Sequence, residues 1–207
     1  MKTRSFLITI PRNTEIYYQQ VEPTNLDTGN NSQVIDNIVC SIDTTSLYNI
    51  REVNKIADVS INPGYYRIDK LKTLLSNYFD IANDSVTAKQ TVDLSEAPSL
   101  QKILFHTNNL ERVEKDYKID VKPDESGGLS MIKIYSNILK DYKVSTSLID
   151  IPIYVSMGLD NVISRNNLNI PVYISNNTTM MKFYMTDIYD DLISLSQPVY
   201  INIVVNY

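Results

Sequence analysis

The sequence is poor in the residues on which most enzyme chemistry depends. Its 207 residues include one cysteine, Cys40, and one histidine, His106. A lone cysteine excludes an internal disulfide and any cysteine-clustered zinc site. A lone histidine cannot build a His-rich metal centre, and no Ser or Cys motif marks His106 as a general base. Tryptophan is absent and glycine is scarce, at five. Neither Gly-x-x-x-x-Gly-Lys-Ser/Thr nor Gly-x-Gly-x-x-Gly occurs, so the common phosphate-cradling loops are missing. Gly-x-Ser-x-Gly is missing too, and with it the usual nucleophile elbow. No window approaches the roughly 18 uncharged apolar residues of a membrane-crossing helix. The run Phe6–Ile10, closed by Pro11 and Arg12, is too short for a signal-peptide core. Nineteen basic against 24 acidic residues leave a net charge of −5, which gives no broad attraction to nucleic acid. The expectation is a chain with no cofactor, no metal, no catalysis, no membrane contact and no direct nucleic-acid contact.

What the chain has is apolar residues in short, strand-like runs. Its hydrophobic content is 43%, enough for a core at this length. Tyrosine is abundant, at 15 against 4 phenylalanines. It favours strands and half-wet surfaces, because it joins an apolar ring to a polar tip. Ser5–Ile10 and Ile16–Val21 read as strands, and Thr24–Ser32 reads as a polar loop. Val34–Ile42 has apolar residues at 34, 35, 38, 39 and 42, a spacing that suits a helix as well as a strand; it is read as a strand. Ile56–Ile61 is a further strand, stopped by Asn62-Pro63-Gly64. Later strands are expected at Gln90–Leu94, Lys102–His106, Tyr117–Val121, Leu129–Tyr135, Ile149–Ser156, Ile170–Ser175, Met181–Thr186 and Val199–Val205. Asp187–Ser194 reads as a helical turn or a loop crossing.

One segment stands out as helical. Ile68, Leu71, Leu74, Leu75, Tyr78 and Phe79 form one stripe at 3.6-residue spacing. Together these signals predict a mainly β fold, a jelly-roll-like β-sandwich with one amphipathic helix inserted at about 68–79. No linker divides the chain. The expected organisation is an N-terminal arm or first strands over 1–32, then a single β-rich domain over 33–207.

Other polar groups have bland readings. Cys40 follows Ile38-Val39 and reads as a small buried hydrophobe. Asp187-Ile-Tyr-Asp-Asp could offer oxygen ligands, but it lacks the spacing and glycine of a calcium loop. Arg67, Lys70 and Lys72 gather at the helix start, as a solvated face would. A hydrolase using two carboxylates remains a third reading, since its acids can lie far apart in sequence.

Around the helix runs Ala57-Asp-Val-Ser-Ile-Asn-Pro-Gly-Tyr-Tyr-Arg-Ile-Asp-Lys-Leu-Lys-Thr-Leu-Leu-Ser-Asn. This stretch resembles a segment of minor capsid, penton-like and related virion proteins in the virophage, polinton-like and adenovirus-like lineage. There a strand passes through Pro-Gly-x-Tyr into a short amphipathic helix. The match covers about 20 residues, and Arg67 stands where such helices often begin with Ser or Thr. The motif residues are Pro63, Gly64, Tyr65 and Tyr66, with Leu71 and Leu75 on the helix, and their expected role is structural. Pro63 fixes φ and Gly64 permits a sharp turn, so that a tyrosine can pack back under the stripe. The resemblance implies a virion protein that assembles with itself, as a trimer or pentamer, and with other capsid proteins, with a host receptor as a further partner. The alternative is a receptor- or glycan-binding module like a fibre head.

Overall fold

The computed structural model describes residues 3–21, 33–43, 47–138, 149–152, 160–165, 170–172, 180–195 and 197–206. The expected loop Thr24–Ser32, and the ends of the strands expected at Ile149–Ser156 and Ile170–Ser175, lie outside the described residues. The chain forms two compact units: Met1–Ser46 with Met131–Tyr207, and Leu47–Ser130. The second lies within the span 33–207 that the sequence left undivided.

The first unit is an antiparallel β-sandwich. One sheet has the strand order β1 (Thr3–Ile10), β17 (Val199–Asn206), β3 (Val34–Asp43), β13 (Asp160–Arg165), and β14 (Ile170–Pro171) also pairs with β3. The other sheet runs β2 (Ile16–Gln20), β15 (Met180–Thr186), β11 (Met131–Ser136), β12 (Ile149–Pro152), and β16 (Leu192–Ile193) also pairs with β15. Ranked along the chain, the eight long strands lie in the orders 1-8-3-6 and 2-7-4-5. Successive strands mostly change sheets, and the first and last strands are neighbours. That is the double Greek key of a jelly roll. The expected mainly β, jelly-roll-like fold is therefore the fold of this unit.

Burial alternates along β1, β17 and most of β15, as a half-buried sheet requires. Register aligns the core in rows: Phe6–Ile203–Ile38, Ile8–Ile201–Cys40 and Ile10–Val199–Ile42, all buried. The ambiguous spacing of Val34–Ile42 has a cause here. The β17–β3 register shifts between Val204 and Val205, which pair with Asn37 and Ile35. Asp36 is the extra residue of a β-bulge, so Ile35 and Ile38 both face the core although three apart.

The second unit mixes short hairpins with two helices. Its strands are β4 (Asn54–Ile56), β5 (Val59–Ile61), β6 (Phe79–Ile81), β7 (Val86–Ala88), β8 (Val92–Asp93), β9 (Arg112–Val113) and β10 (Lys118–Ile119). They pair as β4–β5, β10–β7–β6 and β8–β9. Helices α1 (Ile68–Leu74) and α2 (Pro98–Phe105) complete it. The core joins Ile50, Leu71, Leu75, Phe79, Leu100 and Leu104 with their neighbours.

Three local expectations change. The expected strand Ile56–Ile61 is the β4–β5 hairpin, turning at Ala57, which has φ 49°. The expected strand Lys102–His106 is the second half of α2. Pro98 sits in its first turn, and Leu100, Ile103 and Leu104 share one buried face. The helix expected over 68–79 ends at Leu74. The Leu75–Tyr78 turn follows, with Phe79 N–H bonded to the Leu75 carbonyl. Ser76 Oγ and Thr73 Oγ1 donate to the Thr73 and Asp69 carbonyls, a competition that weakens helix continuation. Phe79 then opens β6 opposite Ala88.

Candidate functional site

The motif residues sit in the second unit and act on its backbone. Gly64 forms an antiparallel bridge with Ile50: Ile50 N–H donates to the Gly64 carbonyl at 3.1 Å, and Gly64 N–H returns a bond at 2.9 Å. A Cβ on Gly64 would lie 3.2 Å from the Tyr66 ring. The next pairing is made by a side chain. Asn49 Oδ1 accepts from Tyr66 N–H at 2.8 Å, and Asn49 Nδ2 donates to the Tyr66 and Glu125 carbonyls at 2.7 and 2.8 Å. Asn49 is buried, and sequence reasoning missed it, because an asparagine before a strand carries no local signal of such a role.

Tyr65 points the other way. It is exposed, and its hydroxyl donates to Glu125 Oε1 at 3.1 Å. Partial burial, then that bond and the Glu125 charge, raise its pKa above the ordinary tyrosine value, while Arg67 opposes them. Pro63 lies in the loop between β5 and α1. Leu71 and Leu75 are fully buried in the core. Arg67 is the N-cap of α1 and makes no side-chain cap bond.

The remaining polar groups are also framework. His106 closes α2 in the left-handed conformation, at φ 55°, and its Nε2–H donates to the Lys122 carbonyl at 2.7 Å. The start of α2 is capped from outside the helix: Glu52 Oε1 accepts from Ser99 N–H at 3.1 Å, and Asn54 Oδ1 from Leu100 N–H at 2.9 Å. Asp124 ties its own turn, its Oδ1 accepting from Ser126 N–H and its Oδ2 from Gly128 N–H. Asp187 Oδ1 does likewise for Tyr189 and Asp191 N–H. Burial pushes the Cys40 thiol up to about 12. Among the described residues no group of three His, Cys, Asp or Glu is placed to hold a metal ion.

The outward faces of the jelly roll are the less ordinary feature. On the β1–β17–β3 face, register forms the rows Thr3–Asn206–Val34, Ser5–Val204–Asn37, Leu7–Asn202–Val39 and Thr9–Tyr200–Ser41. None of these twelve positions is charged. At the chain's 21% charged content, about two or three of them would be. Leu7 is 71% exposed and Tyr200 50%. The register continues into β13, placing Ser164 opposite Val39, Val162 opposite Ser41 and, in the next row of the same face, Asp160 opposite Asp43. On the other sheet, Ile16, Tyr18 and Gln20 of β2 oppose Tyr184, Lys182 and Met180 of β15. Ile16, Tyr18 and Met180 are exposed. Lys182 Nζ lies 5.1 Å from the Tyr184 ring centroid, and that ring stacks on Tyr135 at 4.9 Å. The β2–β15 rows contain no carboxylate, whereas the uncharged rows of the other face are bounded by carboxylates, Asp36 at the bulge and the Asp43–Asp160 row.

No family model and no curated protein matches the sequence. The chain is similar in structure to the mavirus penton protein, whose selenomethionine form has been solved by crystallography. The similarity covers 99% of this chain and 98% of that one, at 11% identity and a TM-score of 0.41.

Proposed function

We propose that the chain is a virion structural protein, a penton-like or spike subunit of a capsid that assembles with copies of itself and with other capsid proteins. The observation that carries this reading is the jelly roll, with twelve uncharged positions at the centre of one outward face and exposed Leu7, Tyr200, Ile16, Tyr18 and Met180 on the two. Jelly rolls recur in capsid proteins, lectins and cupins, so the surface has to decide between them. The first unit contains no histidine, which gives no support to a His-ligated metal site of the cupin kind. The central rows of its β1–β17–β3 face are depleted in charge and its β2–β15 rows are rich in tyrosine, as the interiors of protein interfaces are. The Pro63-Gly64-Tyr65-Tyr66 stretch adds the sequence resemblance to penton-like proteins.

Two measurements test the reading. Native mass spectrometry of the purified chain should give a discrete closed oligomer, a trimer or pentamer. Proteomics of purified particles of the encoding virus should find the chain among the stoichiometric virion proteins. Its absence from particles, with the chain confined to infected-cell extract, would overturn the reading.

A further inference from the structure

The two units differ in charge density. Leu47–Ser130 carries 24 charged side chains in its 84 residues, and the other 123 residues carry the remaining 19 of the chain's 43. The fractions are about 29% and about 15%. We infer that the contacts between copies of this chain lie wholly on the jelly roll, and that the inserted unit is a solvated module with no part in them. The inference rests on the capsid-subunit reading and names which unit recognises a second copy.

Charge gives the first reason. A surface that stays in water is roughly 25–35% charged, with both signs mixed. The centre of a protein interface is depleted in charge, because each ion taken out of water has to be matched. Even with its core residues counted, the inserted unit reaches the first range, with 11 basic and 13 acidic residues. Exposed pairs stand on it: Lys55 with Glu96 at 3.5 Å, Arg112 with Glu114 at 2.9 Å and Lys118 with Asp120 at 2.6 Å. A second copy seated there would strip water from such groups. Nor does this unit need a partner to complete its core, since the buried cluster from Ile50 to Val113 is drawn from it alone.

Exposed apolar side chains give the second reason. Among the described residues, the four most exposed large hydrophobics are Leu7, Tyr18, Met180 and Tyr200, all in the jelly roll. Strand register makes neighbours of them. Leu7 opposes Asn202, two residues along β17 from Tyr200, and Tyr18 opposes Lys182, two residues along β15 from Met180. Diagonal pairs of this kind lie about 7–8 Å apart, within reach of long side chains. On the inserted unit Tyr48, Val53, Tyr65 and Tyr117 are less exposed, and no strand pairing joins any two of them. Single exposed hydrophobics are ordinary, whereas contiguous ones mark contact surfaces. Asp36, Asp43 and Asp160 bound the face that holds Leu7 and Tyr200, so a contact there centres on the uncharged rows between them.

Hydrogen–deuterium exchange of the full chain tests this, measured at roughly tens of micromolar and again after dilution below the assembly midpoint. Assembly should slow exchange in jelly-roll peptides and leave peptides within 47–130 unchanged. Substitutions give a second measure. A Leu7→Glu, Tyr18→Glu double variant should raise the apparent dissociation constant about tenfold or more. Val53→Glu, exposed on the inserted unit, should leave it within about twofold. Circular dichroism melts establish that the variants fold, and if one does not, exchange on the wild type decides. Slowed exchange inside 47–130, or none in the jelly roll, would overturn the inference, as would a folded double variant that assembles like the wild type. A wild type that stays monomeric yet is found in purified particles would sink the inference and leave the capsid reading intact. Assembly through the jelly roll by a chain absent from particles would do the reverse.

Discussion

Asn49 holds the backbone of Tyr66 at both ends of the residue, accepting its N–H and donating to its carbonyl. A side-chain amide thereby extends the Ile50–Gly64 bridge by one pairing. Its third bond, to the Glu125 carbonyl, ties in the Asp124–Gly128 turn. Replacing Asn49 with Ala leaves three backbone groups without partners and should cost about 2–4 kcal/mol. Asn49→Asp should be no milder, because the carboxylate would face two carbonyls. Urea denaturation of both variants checks this. A loss under about 0.5 kcal/mol would show that water replaces the bonds.

Gly127 reports on the same junction. It has φ +60°, and a Cβ there would lie 2.7 Å from the Asn49 carbonyl oxygen. Gly127→Ala should therefore destabilise by about 1–3 kcal/mol. The loss should shrink in an Asn49→Ala background if the turn is no longer held against residue 49. A double-mutant cycle measures that coupling.

Leu71 and Leu75 are both fully buried, although Leu71 belongs to α1 and Leu75 is its C-cap. Each should lose about 2–5 kcal/mol on truncation to Ala. Leu74, packed only partly against the same core, should lose less. Thermal melts that rank Leu74→Ala as the most damaging would contradict this order.

Tyr78 donates its hydroxyl to Asp58. That bond, the largest influence on both groups, lowers the Asp58 pKa and raises that of Tyr78. The depressed carboxyl contributes stability above its unfolded pKa near 3.8, and this is lost as pH falls through the folded value. The raised phenol contributes below its unfolded pKa near 10, and this is lost as pH rises through the folded value. Tyr78→Phe should flatten both limbs of the stability–pH curve. Limbs of unchanged slope would show that the bond does not persist in solution.

Cys40 should be inert. With its pKa pushed up to about 12 by burial, almost no thiolate forms at pH 8. Labelling by a thiol reagent should then proceed only through unfolding and should accelerate in urea. Stability should also fall as pH rises from 9 toward 12, where the unfolded thiol ionises and the folded one does not. Rapid stoichiometric labelling of the native chain would refute the burial.

By itself, the sequence determined the class of fold. Alternating apolar residues in β1, β15 and β17 can bury only one face of a sheet, and the 71/75/78/79 stripe had to meet a core whatever the backbone did. Tertiary structure decided the rest. The bulge at Asp36 resolved a spacing that local pattern left open, because only the β17 register shows which residue is extra. The segment 102–106 became helix because Pro98 opens it, while Glu52 and Asn54, distant in sequence, cap its first turn. The stripe stopped being helical at Leu74 because Phe79 gains a sheet partner in Ala88. Pro63, Gly64, Tyr65 and Tyr66 could be picked out in the sequence, but their clamp, Asn49, could not. The uncharged central rows of the outward face were equally hidden: their twelve residues come from three strands spread between residues 3 and 206, and only pairing brings them onto one surface.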